Sequence, residues 1–364
     1  MTGVSPMQFV IFGLSITSSW GNGHATTYRA LVRQLAARGH RVLFLERDLP
    51  WYAENRDLPN PPGATTELYS SLRALKQRFA GAVRDADVVI VGSYVPDGIE
   101  IGRWVTTAAT GVTAFYDIDT PVTLARLDQG GTAYIDRTLI PRYDLYLSFT
   151  GGPTLTRLED EFGANMARPL YCSVDPQHYS PDATDATWDL GYLGTYSDDR
   201  QPVLAELMLE AARGLRDRRF VVAGAQYPDT IDWPANVTRI THLPPPAHRQ
   251  FYTAQRYTLN VTRSDMVRAG WSPSVRLFEA AACGTPIISD YWDGLEEFFE
   301  PDREILIARS ASETRAYLHD LPDAERTAIG ERARERVLSA HTAAHRAAEL
   351  EAFAYEARRC GAGR

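Results

Sequence analysis

Short apolar runs alternate with segments of helical periodicity along the first half of the chain. The runs occupy residues 9–16, 42–46, 88–92, 112–116 and 145–149, and the helical segments occupy residues 25–38 and 72–84. In residues 25–38 apolar side chains recur every three or four positions, which predicts a helix with one apolar face. Gly39 is predicted to end this helix as a left-handed cap. The alternation predicts βαβ units and a parallel sheet.

A proline-rich stretch separates this half from a second series of the same kind. Pro169, Pro176 and Pro181 interrupt regular structure around residues 171–181, so we place the domain linker there. Apolar runs and helical segments then alternate again, at residues 189–194, 202–215, 219–224, 257–262, 276–283 and 286–289. The second half is therefore predicted to repeat the architecture of the first.

The chain length and the C-terminal pattern complete the predicted architecture. A chain of 364 residues exceeds what one hydrophobic core usually organises. Residues 323–358 are rich in Ala, Glu and Arg and predict two terminal helices. We expect an α/β fold with Rossmann-like domains at residues 1–172 and 173–340 that face each other across a cleft. A final helix at residues 341–364 can pack back on the first domain.

Composition and charge narrow the range of partners. The chain has 44% hydrophobic and 23% charged residues, which is ordinary for a globular protein. It has 38 Lys and Arg against 46 Asp and Glu, a formal net charge of −8, and its basic residues are scattered along the sequence. Nucleic acid is therefore not an expected partner.

The sequence also indicates where the protein works. No apolar run approaches the roughly 20 residues that a membrane-spanning helix needs, and the N-terminus lacks the basic region and apolar core of a signal peptide. We therefore expect no transmembrane segment and a cytoplasmic location. Cys172, Cys283 and Cys360 lie far apart without CxxC spacing, so we expect reduced thiols with structural roles.

The most informative segment is residues 272–289, which predict a loop, a helix, a turn and a strand in that order. The free N–H groups and positive dipole end of the helix start, at Ser274 and Val275, favour a diphosphate. Arg276 adds a guanidinium group to this anion site. Glu279, on the second turn, can accept hydrogen bonds from a ribose diol. The alternative interpretation is an amphipathic helix–turn–strand unit with a surface Glu.

A glycine-containing loop, Gly21-Asn22-Gly23, follows the first predicted strand and opens the first helix. Together with Glu46 at the end of the second strand, it suggests a dinucleotide fingerprint and an NAD(P)-dependent oxidoreductase. The fit is imperfect, because Thr26 stands at the third glycine position and residues 17–20 lengthen the turn.

Residues 272–289 resemble the donor-binding element of GT-B glycosyltransferases of the family-four type, in which a Glu on a helix is followed by small residues, Gly-x-Pro and a strand. Residues 172–181 resemble the interdomain GVDxxxFxP stretch of these enzymes, and residues 191–200 resemble the first strand and loop of their donor domain. Residues 18–29 and 117–121 are similar to the CgeB-like branch, named for a spore maturation protein. The likeness covers nearly the whole chain.

The resemblance implies a GT-B fold and roles for residues of the second domain. Arg200 would contact the pyrophosphate and Glu279 the ribose. Tyr227 would stack on the base, and Leu243 lies where related enzymes hold the base through backbone groups. The sequence departs from the family at Trp271, where family-four enzymes often carry a second Glu. This departure leaves the sugar contacts and the stereochemistry open.

The resemblance also assigns the N-terminal loop to the reaction. Gly21, Asn22 and Gly23 would border the cleft and approach an acceptor or a phosphate through backbone N–H groups. His24 would face the reaction, and a neutral imidazole there can accept a proton from an acceptor hydroxyl. The alternative is that the His24 imidazole caps the helix start.

Asp117 and Asp119 follow the strand predicted at residues 112–116, at the edge where open α/β sheets place their sites. Asp119 can orient His24 or act as the base itself, or it can cap the helix that begins at Thr120. A metal-binding DxD pair is a further interpretation, but it suits a GT-A enzyme with one nucleotide-binding domain and leaves the second βα series unexplained.

We therefore expect a metal-independent glycosyltransferase of the hexosyltransferase type that acts on a small-molecule or glycan acceptor. No cofactor is expected besides the nucleoside diphosphate sugar, and UDP, dTDP and GDP are equally open as its carrier. Two alternatives stay open: a catalytically silent GT-B protein that binds a sugar nucleotide, and an NAD(P)-dependent oxidoreductase.

Overall fold

The computed structural model of the protein describes residues 5–21, 23–183 and 185–361. The chain divides into two compact units. Unit 1 joins the chain up to Cys172 to the chain from Ala343 onwards, and unit 2 is Ser173–Thr342. Within the described residues, no helix is both long and apolar enough to cross a membrane. Cys172 and Cys283 are buried, Cys360 is exposed, and no disulfide joins them.

Unit 1 is built on a parallel sheet flanked by helices. Its strands are β1 (Gln8–Gly13), β2 (Arg41–Arg47), β3 (Thr65–Tyr69), β4 (Val88–Gly92), β5 (Val112–Asp117), β6 (Leu145–Ser148) and β7 (Ala167–Pro169). The helices along this part of the chain are α1 (His24–Ala37), α2 (Pro50–Ala53), α3 (Leu72–Asp85), α4 (Gly98–Ala108), α5 (Thr120–Asp128) and α6 (Pro153–Asp160). The strand order β3-β2-β1-β4-β5-β6-β7 is that of a Rossmann-like sheet.

Unit 2 carries a second parallel sheet of the same design. Its strands are β8 (Trp188–Leu193), β9 (Phe220–Ala223), β10 (Val237–Ile240), β11 (Gln255–Asn260), β12 (Ile287–Ser289) and β13 (Leu306–Ile307), in the order β10-β9-β8-β11-β12-β13. Its helices are α7 (Gln201–Leu204), α8 (Ala211–Gly214), α9 (His248–Thr253), α10 (Ser264–Ala269), α11 (Val275–Ala282), α12 (Ala311–Asp320) and α13 (Asp323–Ala340). A π-helical segment, Ala205–Glu210, joins α7 to α8.

Strand β1 shows why the first apolar run is uninterrupted. Val10 and Phe12 are buried in the hydrophobic cluster on one face of the sheet, whereas Phe9 and Ile11 are buried in the cluster on the other face, together with Leu31 of α1. Successive side chains of a strand point to opposite faces. A strand that is covered on both faces therefore needs apolar residues at every position.

The last helix, α14 (Ala343–Gly361), returns to unit 1 and packs against α1. Leu350 is fully buried in the cluster on that face. The neighbouring Glu351 carboxylate accepts hydrogen bonds from Arg38 Nε at 2.8 Å and His40 Nε2 at 3.0 Å. His40 Nδ1 accepts from the Met7 backbone N–H, so the ring proton must lie on Nε2. The helix is thus fixed by both apolar and ionic contacts.

The predicted elements are present, with some ends shifted. The predicted left-handed cap at Gly39 is confirmed by its φ of +90°, and the two predicted terminal helices are α13 and α14. The strand predicted over residues 9–16 is wrong at its end, because β1 stops at Gly13. The Glu46 carboxylate accepts hydrogen bonds from the backbone N–H groups of Ile16 and Thr17, at 2.7 and 3.0 Å, which holds the chain in a turn instead.

Both sheets place their first strand in the interior, β1 between β2 and β4, and β8 between β9 and β11. Chain connections leave in opposite directions on the two sides of this strand. In open α/β sheets, ligands bind in the crevice that forms there, outside the carboxyl ends of the strands. Each unit therefore has one position at which its fold favours a site.

In unit 2 two glycines make this position possible. Gly224, after β9, has a φ of +154°, and a Cβ atom on it would lie 2.0 Å from the carbonyl oxygen of Gly194. A Cβ on Gly194, after β8, would lie 2.6 Å from the Tyr192 hydroxyl and 3.0 Å from Arg276 Nη2. A glycine at 224 therefore lets the chain after β9 approach the chain after β8, and a glycine at 194 leaves room for the side chains of Tyr192 and Arg276.

Replacing Gly224 by Ala should lower the free energy of unfolding by about 2 kcal/mol or more, because the new methyl group meets backbone at a strained φ. Gly81→Ala is the matched control: Gly81 lies in α3 with no atom within 4 Å of an added Cβ. That change should raise the free energy of unfolding by about 0.5–1 kcal/mol. Denaturant titration measures both, and effects of the same sign would contradict the assignment.

Candidate functional site

Three arginines gather at the carboxyl edge of the unit 2 sheet. Arg200 precedes α7, Arg263 follows β11, and Arg276 lies on the first turn of α11. Burial, followed by the charges of Arg276 and Arg263, lowers the pKa of the Arg200 guanidinium. The three guanidinium groups therefore concentrate positive charge where the fold favours a ligand. One carboxylate lies beside them, with Asp199 Oδ2 at 4.0 Å from Arg263 Nε.

Arg200 is the least satisfied member of this cluster. Its Nη2 donates a hydrogen bond to the Thr195 carbonyl at 2.7 Å. Its Nε is buried and has no hydrogen-bond partner in the described structure. Because a buried charged donor without a partner is costly, an acceptor supplied by a ligand would stabilise this arrangement. This supports the predicted position of Arg200 in an anion site.

Asn260, the last residue of β11, links the elements of the site. Its Oδ1 accepts hydrogen bonds from Ser274 Oγ at 2.9 Å and Arg276 Nη1 at 2.8 Å. Its Nδ2 donates to Ser289 Oγ at 2.9 Å. Arg276 Nε also donates to the Leu193 carbonyl at 2.7 Å. Two of the donor groups of Arg276 therefore hold α11 against β8 and β11.

The start of α11 keeps its backbone donors available. Ser274 is the N-cap residue, but its side chain makes no capping hydrogen bond, since its hydroxyl donates to Asn260. Val275, the first helical residue, is 37% exposed. Uncapped N–H groups at the positive end of a helix dipole are a common anion-binding arrangement. The predicted anion-binding positions Ser274, Val275 and Arg276 thus lie at one place.

Glu279 is buried, which differs from the interpretation of a surface carboxylate. It is 5% exposed and its Oε2 accepts a hydrogen bond from the Tyr252 hydroxyl at 3.0 Å. The Tyr179 hydroxyl also hydrogen-bonds to it, and burial raises its pKa. The hypothesis of an isolated surface Glu on an amphipathic helix is therefore wrong. A ribose diol would share this carboxylate with the two tyrosines.

Tyr227 follows β9 and Leu243 follows β10, so both come after the carboxyl ends of their strands. The Tyr227 hydroxyl donates to the Gly194 carbonyl at 3.0 Å. The Arg239 guanidinium lies 4.1 Å from the Tyr227 ring centre and 4.0 Å from that of Trp233. One face of the Tyr227 ring is thus occupied by a cation. The Leu243 carbonyl contacts His248 Nε2 at 3.2 Å.

Trp271, which stands at the departure from the family pattern, is held in place. Its φ is +44°, and its indole N–H donates to Glu297 Oε1 at 2.5 Å. Gly294 lies directly against the ring, since a Cβ on it would come within 2.4 Å of the indole. A strained backbone that is fixed by several contacts is typical of functional segments.

In unit 1, His24 is the first residue of α1, with Gly23 as its N-cap. Its Nδ1 is buried and has no hydrogen-bond partner, so the interpretation of His24 as a helix cap is wrong. Burial lowers the pKa of the imidazole to about 4. The ring is therefore neutral at cellular pH. Gly21 is exposed with a φ of +65°, and Asn22 lies outside the described residues.

Asp117 and Asp119 differ in their surroundings. Asp117 is fully buried, and its carboxylate accepts hydrogen bonds from the hydroxyls of Tyr146 at 2.6 Å and Thr123 at 2.9 Å. Burial raises the pKa of Asp117 to about 7. Asp119 is partly buried at the N-cap of α5, but its side chain makes no capping hydrogen bond. Instead it accepts one from the Tyr94 hydroxyl at 2.8 Å.

The carboxylate that a dinucleotide fingerprint needs is already occupied. Glu46, at the end of β2, is fully buried. Its two oxygens accept hydrogen bonds from the backbone of Ile16 and Thr17 and from Thr17 Oγ1, at 2.7–3.0 Å. A carboxylate bound in this way does not recognise a ribose. The geometry thus opposes the oxidoreductase interpretation.

The structure brings further residues to these sites, of which the sequence did not single out Asn260. Asn260 and Arg263 join the anion site of unit 2, and Tyr94 joins His24 and Asp119 in unit 1. The polar residue that ends an apolar strand was the available signal for Asn260. Within the described part of the chain, no three His, Cys, Asp or Glu side chains gather as a metal site.

The fold is that of GT-B glycosyltransferases, as predicted. Sucrose-phosphate synthase of Thermosynechococcus elongatus superimposes with a TM-score of 0.69 at 14% identity, over 96% of this chain and 98% of that chain. Anabaena HepE in complex with UDP gives a TM-score of 0.70 at 11% identity, over 96% and 100%. An alpha-glucosyltransferase in complex with UDP-glucose and abasic DNA gives 0.68 at 12% identity, over 96% and 100%.

A narrower similarity covers most of unit 2. Residues 200–352 match the family model described as glycosyl transferase-like. This stretch begins at Arg200 and contains Asn260, Ser274, Arg276 and Glu279. No curated protein matches the chain. The assignment to the CgeB-like branch stays a prediction.

Asp117→Asn should change how stability depends on pH. Because the pKa of Asp117 is about 7 in the folded state and its ordinary value is 3.8, the native protein loses stability as pH rises between these values. The Asn variant lacks this loss. Its free energy of unfolding should therefore rise relative to the native protein by about 1.4 kcal/mol per pH unit from pH 5 to 7.

Thermal or denaturant unfolding at several pH values measures this difference. Asp85→Asn is the control, because Arg84 lowers the pKa of exposed Asp85 and moves its titration below this range. Its difference from the native protein should stay constant from pH 5 to 7. A constant difference for Asp117→Asn as well would contradict the raised pKa.

Proposed function

We propose that this protein is a glycosyltransferase that transfers a hexose-type sugar from a nucleoside diphosphate sugar to an acceptor hydroxyl. The observation that carries the proposal is the anion site of unit 2. There, the partly buried Arg200 has a buried and unpartnered Nε, and the start of α11 is uncapped. The match of residues 200–352 to a glycosyl transferase-like model supports the same conclusion.

The diphosphate is the group that this site suits best. Arginine forms paired hydrogen bonds to phosphate oxygens, and helix N–H groups add further donors. Negative charge develops on the leaving diphosphate as the sugar bond breaks, so donors already in place lower the barrier. In this proposal Arg200, Arg263 and the N–H groups at Ser274 and Val275 bind the diphosphate. Arg276 mainly holds α11 in place.

The nucleoside would lie beside the remaining groups of unit 2. Glu279 is proposed to accept a hydrogen bond from the ribose, with Tyr252 and Tyr179 fixing its carboxylate. Tyr227 and the backbone at Leu243 are proposed to hold the base. HepE was crystallised with UDP, which makes UDP the first carrier to test, beside dTDP and GDP.

Unit 1 is proposed to activate the acceptor. The neutral His24 imidazole has a buried Nδ1 without a partner, which can accept the proton of a hydroxyl group. The charge of Asp119 would stabilise the imidazolium that forms. A small molecule or a glycan is the proposed acceptor. The DNA present with one neighbour makes a nucleic acid acceptor an outcome to test.

The proposed reaction needs no metal ion, because arginines and helix N–H groups replace it at the diphosphate. The chemistry of Asp117 fits this proposal. Its two oxygens already accept hydrogen bonds from the hydroxyls of Tyr146 and Thr123. A DxD metal pair is therefore not part of the proposal.

Arg200→Ala should weaken the binding of UDP, or of whichever nucleoside diphosphate binds, by about tenfold to a hundredfold, since a hydrogen bond to a charged group contributes about 1.5–3 kcal/mol. Isothermal titration calorimetry measures the affinity. Arg213→Ala is the matched control, because Arg213 lies on the same unit but pairs with Glu210 and Asp232. Equal affinities for both variants would contradict the anion site.

The activity itself is tested by incubating the protein with UDP-, dTDP- and GDP-sugars and measuring released nucleotide by mass spectrometry. We expect release that continues in the presence of EDTA. Release abolished by EDTA would overturn metal independence. Tight nucleotide binding without release against any acceptor would identify a silent binding protein. Binding of NAD(P) in place of sugar nucleotides would restore the oxidoreductase hypothesis.

A further inference from the structure

Tyr94 occupies an unusual backbone position at the switch point of unit 1. It lies two residues beyond β4, which neighbours β1 in the sheet. Its φ is +63°, a conformation that residues with large side chains rarely adopt. Such strain persists only where surrounding contacts hold it, and it often marks functional segments. The contacts of the Tyr94 side chain show what holds it here.

Tyr94 touches both polar residues of the unit 1 site. Its hydroxyl donates a hydrogen bond to Asp119 Oδ2 at 2.8 Å. Its ring meets the His24 ring in a T-shaped contact, with 5.5 Å between ring centres. On another side the ring packs against Tyr134, at 4.7 Å between centres, and the Arg126 guanidinium lies 6.0 Å from it. Tyr94 therefore contacts two elements that the chain brings together from far apart.

We propose that Tyr94 is a positioning residue that holds the His24 imidazole with its ring and the Asp119 carboxylate with its hydroxyl, so that both are fixed before substrate binds. This inference rests on the proposed function. The unpartnered and buried His24 Nδ1 needs such support, because no hydrogen bond to that nitrogen fixes the ring. Packing against Tyr94 and Tyr28 fixes it instead.

The two halves of the Tyr94 side chain have separable effects. The ring excludes water from His24 and so keeps the imidazole neutral, in line with its lowered pKa. The hydroxyl holds the Asp119 carboxylate in place through the hydrogen bond that it donates to Oδ2. The other titratable or charged groups around these rings are Tyr28, Asp117, Arg126 and Tyr134. They stay unchanged in the variants below.

A titration of His24 tests the role of the ring without any substrate. Histidine ring signals are followed by NMR against pH in the native protein, Tyr94→Phe and Tyr94→Asn. Asn tolerates a positive φ, so the second variant removes the ring without adding strain. The pKa of His24 should stay near 4 in Tyr94→Phe and rise towards 6.5 in Tyr94→Asn. An unchanged pKa in Tyr94→Asn would overturn the role of the ring.

Kinetics test the role of the hydroxyl. Tyr94→Phe should lower kcat for nucleotide release about tenfold and leave KM for the sugar nucleotide unchanged. If Tyr94 acts through Asp119, the double variant Tyr94→Phe/Asp119→Asn should be no slower than Asp119→Asn alone. Additive losses would overturn the role of the hydroxyl.

Tyr143→Phe is the control for loss of a buried tyrosine hydroxyl in the same unit, because the Tyr143 hydroxyl has no hydrogen-bond partner in the described structure. It should leave kcat and the His24 titration unchanged. The two proposals fail separately. If the native protein releases no nucleotide from any sugar nucleotide, the proposed function fails. The His24 titration still decides whether Tyr94 positions that ring.

Discussion

The arrangement of arginines and helix start in unit 2 depends on the carboxamide of Asn260. This group is fully buried at the end of β11, and it accepts hydrogen bonds from Ser274 and Arg276 while it donates to Ser289. It therefore ties β11, β12 and the start of α11 into one rigid arrangement. Without it, the Ser274 hydroxyl could turn back to cap its own helix. Asn260, which keeps the helix start uncapped, is thus a residue of a strand and not of the helix.

Local patterns were sufficient to predict the parallel sheets and the helix start at Ser274, because both leave signals between neighbours in sequence. Gly39 ends α1, and Ser274, Val275 and Arg276 lie on one helix start, so their spacing alone places them together. The unpartnered Nε of Arg200 and the exposure of Glu279 could not be predicted in this way. They depend on Tyr252, Tyr179 and other side chains that only the folded sheet brings near.

The same dependence on side chains that are distant in sequence explains the errors in unit 1. The glycine loop suggested a dinucleotide site because its spacing is local, but the Glu46 carboxylate is bound by the backbone N–H groups of Ile16 and Thr17. His24 and Asp119 could be predicted as site residues, because His24 stands at a predicted helix start and Asp119 just after a predicted strand. The contacts of Tyr94 with both could not be predicted, because they depend on a positive φ and on side chains that only the folded sheet brings together.

The chemistry of the two units is complementary under the proposed function. Unit 2 concentrates guanidinium groups and helix N–H groups in a chain whose net charge is −8, so its local field opposes the overall charge and favours a leaving anion. Unit 1 holds a neutral imidazole whose ring contacts the ring of Tyr94, and a neutral imidazole can accept a proton from an acceptor. A transfer reaction needs both effects, since one stabilises the departing group and the other prepares the group that replaces it.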